Sequence, residues 1–492
     1  MSTSAPVLEQ TATAYEVVIG LEVHAQLLTQ SKMYCGCSAR YADAEPNTHV
    51  CLVCGGFPGA LPVMNRAAVE AALLTGLALN CEVPAHCKMD RKNYVYPDLP
   101  KGYQISQYDL PLCINGTLEF ISGGETRRAG ITRVHIEEDT GRLVHQVDAS
   151  GAQISLVDLN RSGVPLMEIV GEPDLRSAEE ARDYLIALRQ ILRYIGVSTG
   201  NMEEGAFRCD ANISVRKVGD PLGSKVEVKN MNSFRAVERA LLFEQERQLQ
   251  RIQDGLPIEQ ETRGWVEDRG VTVSQRTKEQ AHDYRYFPEP DLPPLAISPE
   301  MVASVRERLP ALPVERRERL LATYGLGTAD ADLLTTERET ADFFDAVIAG
   351  QPDRAKPAAN WILNDLLALQ RVRGLPATVL PLTVAQLQDL LAALEDGALT
   401  GRAAKELLPQ IAEGEMPRAA AARLDLLALN DENSVIEAAR AALEAFPAAV
   451  TDYQSGKKAA IGRLIGETIK RTGGRANPDQ VRRILEAELD AR

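Results

Sequence analysis

No stretch of this 492-residue chain carries the roughly 18 consecutive apolar residues that a membrane-crossing helix needs, so no membrane association is expected. Positive charge is in deficit, with 54 Lys and Arg against 69 Asp and Glu and a formal net charge of −15. A polyanion bound over the whole surface would need the opposite balance, because phosphates are neutralised by Lys and Arg. A local basic surface remains open. Walker-type phosphate loops and G-x-G-x-x-G fingerprints are both missing, so a nucleotide would have to be held by another arrangement. There is no G-x-S-x-G elbow and no Ser-rich amidase signature, and no side chain stands out as an activated nucleophile. The opening Met1-Ser2-Thr3-Ser4-Ala5-Pro6 has neither the apolar core of a signal peptide nor the Arg richness of a transit peptide. A cytoplasmic location is therefore expected, and the eight cysteines read as thiols or metal ligands and not as a disulfide framework.

What the chain has instead is a set of strands with one apolar and one charged face. In Arg208-Cys209-Asp210-Ala211-Asn212-Ile213-Ser214-Val215-Arg216 every even-numbered residue is polar and every odd-numbered one is small or apolar. Successive side chains of a strand point to opposite faces, so Arg208, Asp210, Asn212, Ser214 and Arg216 make one polar row. Lys225-Val226-Glu227-Val228-Lys229 repeats the pattern. Near the start, Glu22 and His24 share a face while Tyr15, Val17, Ile19, Leu21 and Val23 share the other. Solvated faces alternate in the same way, but Arg, Asp, Asn, Glu, Lys and His together also suit a divalent metal and phosphate. The expectation is a sheet floor on which a charged ligand lies.

Short alternating runs continue to about residue 290, where Pro288-Glu289-Pro290-Asp291-Leu292-Pro293-Pro294 suits neither a helix nor a central strand. Beyond it the sequence turns Ala- and Leu-rich with helical spacing. Domains are expected at 1–293, 294–405 and 406–492. Within the first, Ser177 and Glu180 predict a capping box, followed by an apolar stripe through Tyr184, Leu185, Leu188, Leu192 and Ile195 and a stop at Gly196. A second helix is expected from about Ser233 to Gly255. Asn477-Pro478 should cap a final helix. Residues 455–492 hold nine Lys or Arg against five Asp or Glu, a local reversal of sign that points to an anionic partner or a solvated face.

Cys35-x-Cys37 followed by Cys51-x-x-Cys54 has the spacing of a zinc knuckle, and four thiolates leave no open position, which implies a structural ion. Cys81, Cys87, Cys113 and Cys209 lack such pairing and are expected in the core. An oxygen-rich set is carried by Glu22 and His24, by Glu137-Glu138-Asp139 at the end of a predicted strand, and by Glu168 in the apolar run Pro165-Leu166-Met167-Glu168-Ile169-Val170. A carboxylate in such a run is costly unless paired or bound to a cation. Carboxylates with one imidazole suit magnesium carrying nucleotide phosphates.

Eight segments carry a resemblance: Ile19-Gly20-Leu21-Glu22-Val23-His24, Asp90-Arg91-Lys92-Asn93-Tyr94, Gln104-Ile105-Ser106-Gln107, Asp158-Leu159-Asn160-Arg161 through Pro165-Leu166-Met167-Glu168, Met202-Glu203-Glu204-Gly205, Arg208-Cys209-Asp210-Ala211-Asn212, Lys229-Asn230 and Asp283-Tyr284-Arg285-Tyr286-Phe287-Pro288. In this order, and over nearly the whole chain, the sequence resembles the B subunit of the tRNA-dependent amidotransferase. It departs from that family at Gly171, where Ser or Thr is usual. The resemblance implies an α+β protein: an antiparallel-sheet cradle like the glutamine synthetase catalytic fold, then a helical domain, then a YqeY-type tail. It implies a heterotrimer completed by the glutaminase (A) and small (C) subunits. The implied reaction uses ATP to phosphorylate the side-chain carboxylate of Glu-tRNA(Gln) or Asp-tRNA(Asn), after which ammonia displaces the phosphate.

By the same similarity, Mg2+ is expected on His24, Glu138 and Glu168, with Glu22 and Glu137 at an adjacent metal position. Arg208, Asp210, Asn212 and Lys229 are expected to orient phosphates and the aminoacyl end, supported by Asn160 and Arg161. Lys92 and Lys101 are placed along the ammonia route, Zn2+ on Cys35, Cys37, Cys51 and Cys54, and the tRNA body against Lys457, Lys458, Arg463, Lys470 and Arg471. Two other readings compete: a tRNA-binding scaffold with decayed catalytic residues, and a zinc hydrolase, which the closed Cys quartet disfavours.

Overall fold

Alternation of the kind seen in the sequence builds a large sheet with one buried face. A computed structural model describes residues 15–277, 284–429 and 432–491; the opening hexapeptide and Asp283 lie outside the described residues. The elements run in the order β1 (Tyr15–Gln26), α1 (Arg66–Ala78), β2 (His86–Cys87), β3 (Asp90–Asn93), β4 (Tyr103–Ser106), β5 (Cys113–Ser122), β6 (Glu125–Glu138), β7 (Arg142–Val147), β8 (Gln153–Asp158), β9 (Pro165–Gly171), α2 (Ala178–Tyr194), β10 (Phe207–Lys217), β11 (Val226–Lys229), α3 (Phe234–Gln253), β12 (Glu261–Val266), β13 (Val271–Thr277), β14 (Phe287–Pro288), β15 (Leu295–Ala296) and α4 (Pro299–Arg306).

Eight strands form one sheet in the order β13-β12-β11-β10-β1-β9-β6-β5. Its pairings are antiparallel except for β11 against β12. The odd-numbered residues of β1 (Val17, Ile19, Leu21, Val23, Ala25) are buried in one core with Leu185, Leu188 and Leu192 of α2 and Val237 and Leu241 of α3. Helices therefore cover the apolar face, and the even-numbered residues of β1 and β10 are left as a floor on the other side.

Local signals set the helix ends. Ser177 Oγ accepts the Glu180 N–H at 3.0 Å and Ser233 Oγ accepts the Ala236 N–H at 3.0 Å. The capping box expected at Ser177 is displaced by one residue: the Glu180 carboxylate accepts from the Arg176 N–H (2.7 Å), ahead of the cap. The first of these helices ends at Gly196, which takes a φ of 71° that a side chain would strain. Asn477 caps the last helix, Pro478–Asp490.

The chain divides into two compact units, Met1–Val314 and Glu315–Arg492. Helix α4 and Leu309 pack on the first core, so the boundary expected at 293 falls inside the first unit: the Pro-rich segment interrupts regular structure without ending the core. The second unit has no strand among its described residues. It holds two apolar clusters, one from Leu320 to Ala421 and one from Val435 to Leu489. The division expected at 405 lies inside helix Gly401–Ile411, whose Ala404, Leu407 and Ile411 belong to the first of those clusters. No helix among the described residues is long and apolar enough to cross a membrane.

Candidate active site

Strand register assembles the floor from residues far apart in sequence. His24 lies opposite Arg208 on one side and Glu168 on the other, and Glu168 lies opposite His135. Glu22 faces Asp210, and Asn212 faces Glu227. One continuous polar surface thus runs across β6, β9, β1, β10 and β11.

At its centre His24, Glu137 and Glu168 bring an imidazole nitrogen and two carboxylate oxygens within 4.8 Å of one another. His24 Nε2 is 3.3 Å from Glu168 Oε2 and 3.6 Å from Glu137 Oε1. On the far side His135 Nε2 lies 3.3 Å from the same Glu168 oxygen. Burial alone would lower the pKa of His24, yet Glu168 and Glu137 outweigh it and push it up to about 9. Burial works in the opposite sense on Glu168, whose carboxyl is nevertheless held well below the usual range by His135 and His24. Two carboxylates and an imidazole, largely buried and held this close by strands, are a donor set for a hard divalent cation.

Glu138, expected in this cluster, is set apart from it. His135 and Glu137 project to the floor, so their neighbour Glu138 must turn away. Its carboxylate forms an ion pair with Lys101 and accepts the Ile105 N–H at 3.0 Å. Glu22 is two residues along β1 from His24 and accepts Asn212 Nδ2 at 2.9 Å. Lys229 pairs with Asp210. Arg208 is held by Asp139 at 3.1 Å, and that buried carboxylate also accepts Gln26 Nε2 at 2.8 Å. Burial would raise the pKa of Asp139, but Arg208 and Arg161 hold it low.

Asn160 ties loops together, and Arg161 ties loops while also supporting the floor through Asp139, 3.7 Å from its Nε. Asn160 Oδ1 accepts the His49 N–H (2.8 Å) and its amide donates to Glu45 O (2.7 Å). The Arg161 guanidinium donates to Thr140 O (3.0 Å) and Gly141 O (2.6 Å). Burial would depress the pKa of Lys92, but Glu137, Tyr286 and Glu168 raise it, and its ammonium sits 5.0 Å over the Tyr284 ring. Lys101 lies 5.8 Å from the Tyr34 ring centre and 5.6 Å from that of Tyr103.

Cys35, Cys37, Cys51 and Cys54 converge, each offering a sulfur within 4.8 Å of the others. Lys32 is fully buried beside them and donates to Cys54 Sγ (3.5 Å), His49 O (2.7 Å) and Leu159 O (3.3 Å). A divalent ion with four thiolates carries two excess negative charges, and the Lys32 ammonium is placed to offset part of them. Gly163 closes the neighbouring loop with a φ of 85°, and a Cβ there would lie 3.4 Å from Cys54 Cβ and 3.8 Å from Glu138 Oε2. Cys81, Cys87, Cys113 and Cys209 are buried and form no disulfide. In the second unit Lys457, Lys458, Arg463, Lys470 and Arg471 are exposed. Four of them already have local company: Lys457 on Asp452 (3.0 Å), Arg471 on Glu467 (2.9 Å), Arg463 over the Phe446 ring (4.6 Å) and Lys458 over the Tyr453 ring (3.9 Å).

Comparison with known proteins matches residues 17–303 to the GatB/GatE catalytic domain and residues 342–489 to the GatB domain. The B subunit of the aspartyl/glutamyl-tRNA(Asn/Gln) amidotransferase of Thermomicrobium roseum is 56% identical over 477 residues, 96% of this chain and 99% of that one. Those of Moorella thermoacetica and Dehalococcoides mccartyi are 52% and 50% identical, over 96% and 97% of this chain and 100% and 99% of theirs. The chain belongs to the family of amidotransferase B subunits.

Sequence reasoning about this member of the family misses His135 and the bracing role of Asp139. His135 stands between Val134 and Ile136, both fully buried, but it shares strand parity with Glu137, and that parity is the available signal. Gly171, the departure from the family pattern, adjoins Tyr184. A Cβ there would meet Tyr184 Oη at 3.2 Å, and that buried hydroxyl has no hydrogen-bond partner among the described residues.

Proposed function

We propose that this chain uses ATP to phosphorylate the side-chain carboxylate of Glu-tRNA(Gln), Asp-tRNA(Asn) or both, preparing it for amidation by ammonia from a glutaminase partner. The observation that carries this reading is the meeting of His24, Glu137 and Glu168 on a floor that also presents Arg208 and Lys229. A carboxylate is a poor acyl donor because its leaving group would be oxide; phosphorylation replaces oxide with phosphate. Such a site must hold two anions, ATP and the carboxylate, against each other.

His24, Glu137 and Glu168 are the residues that would hold Mg2+, whose charge, when bound, neutralises phosphate oxygens. Arg208, fixed by Asp139, and Lys229, fixed by Asp210, orient phosphate and carboxylate oxygens. Asn212 and Glu22 continue the floor. His135 braces Glu168. No nucleophilic side chain is required, because ammonia is made elsewhere and reaches the site past Lys92 and Lys101. The Cys quartet holds a structural Zn2+ that fixes the loop through 35–54. The partners are the glutaminase (A) and small (C) subunits of a cytoplasmic heterotrimer, and the basic face around Lys470 and Arg471 receives tRNA. An intact metal-binding cluster favours this enzyme over a scaffold with decayed residues.

The assembled complex, given both misacylated tRNAs, glutamine and ATP, should yield Gln or Asn on deacylation, with ATP hydrolysis dependent on the aminoacylated tRNA. Amidated product formed without ATP would overturn the reading.

A further inference from the structure

A bulge in β6 decides what stands on the far flank of the metal cluster. Ile131 lies opposite Gly171 and is buried in the core; the register then shifts before Arg133, which lies opposite Val170. The extra residue reverses the parity of the strand. Arg133, His135 and Glu137 therefore share the floor face, while Val134 and Ile136 belong to the core. Without the shift Arg133 would stand with Ile131 on the apolar side. Along the strand Arg133 is the next floor residue to His135, about 7 Å away. Arg208 stands across the cluster on β10, three strand spacings or about 14 Å from β6. The floor cations differ in what holds them. Arg208 is paired with Asp139, and Lys229 with Asp210. Half-buried Arg133 has no ion pair or side-chain hydrogen bond among the described residues, and its Nε is buried without a partner. A buried donor left so is costly.

From this placement we infer that Arg133 binds the side-chain carboxylate of the aminoacyl group during its activation, an inference that rests on the phosphorylation reading above. Arg208 and Lys229 already carry carboxylates of the protein, whereas the charge of Arg133 is uncommitted. Its fork of N–H groups fits the edge of a carboxylate. One carboxylate oxygen stays on the guanidinium while the other attacks the γ-phosphorus. The new O–P bond replaces the bond from that phosphorus to the β,γ-bridging oxygen, and ADP leaves with the electron pair. The same contact separates substrate from product. Amidation removes the negative charge and turns one acceptor oxygen into an NH2 donor, for which a guanidinium has no acceptor. The amidated tRNA is therefore held less tightly than the misacylated one.

The test is equilibrium binding of each misacylated tRNA and of its amidated product to the assembled complex in Mg2+ without ATP. Inorganic tripolyphosphate, which shares the phosphates of ATP and has no carboxylate, is measured beside them. The unsubstituted complex should prefer the misacylated form about tenfold or more, and Arg133→Gln should abolish that preference. Its affinity for the amidated tRNA and for tripolyphosphate should stay within about twofold. Its thermal midpoint should not fall, because no described residue accepts a hydrogen bond from that guanidinium. Arg133→Lys, which keeps the charge and loses the fork, should recover part of the preference. A preference that survives in Arg133→Gln overturns the assignment. So does equal weakening of both tRNA forms, which would give Arg133 to the fold or to the tRNA body. Loss of tripolyphosphate affinity with the preference intact overturns it too, and would give Arg133 to phosphate. If the unsubstituted complex shows no preference yet forms amide only with ATP, the carboxylate contact fails alone. If amide forms without ATP, the phosphorylation reading fails with it.

Discussion

Two clusters in the first unit are shaped for metal ions, and they differ in how the chain builds them. The Cys quartet is drawn from a single stretch, 35–54, and offers four ligands with no position left open. The His24, Glu137 and Glu168 cluster is drawn from three strands of one sheet and offers three ligands on its polar face. A closed set can hold a loop in place but has nowhere to bind substrate. An open set on a rigid sheet can keep positions for phosphate oxygens. The same comparison separates fold from function: the two clusters should fail in different ways when damaged.

Glu168→Gln tests the open cluster most severely. It removes the charge that His24 and His135 share, and phosphorylation of the aminoacyl carboxylate should fall about a thousandfold or more while zinc content stays unchanged. A variant with near-normal turnover would place the metal elsewhere. Cys35→Ser combined with Cys37→Ser should do the reverse. Zinc is lost and the thermal midpoint falls by several degrees, but at temperatures where the variant stays folded its affinity for tripolyphosphate holds. Parallel loss of zinc and anion affinity would show that the two clusters are one functional unit.

This difference in construction also decides what can be read from the sequence. The quartet is legible because its ligands are neighbours, and spacing alone reports them. The floor is legible in outline because alternation places Glu22 with His24 and Arg208 with Asp210 and Asn212, each within one strand. Which strands lie side by side is set by long-range pairing that no local pattern encodes, so His135 beside Glu168 is not foreseen. Similarity places Glu138 with the metal ligands, although its parity with Glu137 puts the two on opposite faces. The unit boundary near 314 escapes for a related reason. The Pro-rich segment is a strong local signal, but α4 returns to the first core by apolar contacts that composition does not reveal.

Glu138→Gln follows as a smaller perturbation. It leaves the half-buried Lys101 ammonium without its counter-charge, which should cost about 2 kcal/mol of stability, read from chemical denaturation. Metal affinity at His24, Glu137 and Glu168 should change less than about threefold. A large drop in metal affinity with stability intact would return Glu138 to the cluster and displace Glu137.

The smallest effect, and the one that most sharply divides the two clusters, is on pH. His24 has an ordinary pKa of 6.5 that Glu168 and Glu137, against the effect of burial, push up to about 9. A group raised on folding contributes stability that is complete below its unfolded pKa and is lost as pH climbs through its folded one. In Mg2+-free buffer the protein should therefore lose a few degrees of thermal midpoint between about pH 6.5 and 9. His24→Asn should flatten that slope. Adding Mg2+ should restore the midpoint most at the alkaline end, where the imidazole is already neutral and no proton competes with the ion. With an ion bound, four deprotonated thiolates would have no proton to exchange in this window, so the quartet should add nothing to that slope. A flat profile in the unsubstituted protein would mean that His24 does not share its proton with Glu168, and the open cluster would lose the imidazole that distinguishes it from a plain carboxylate pair.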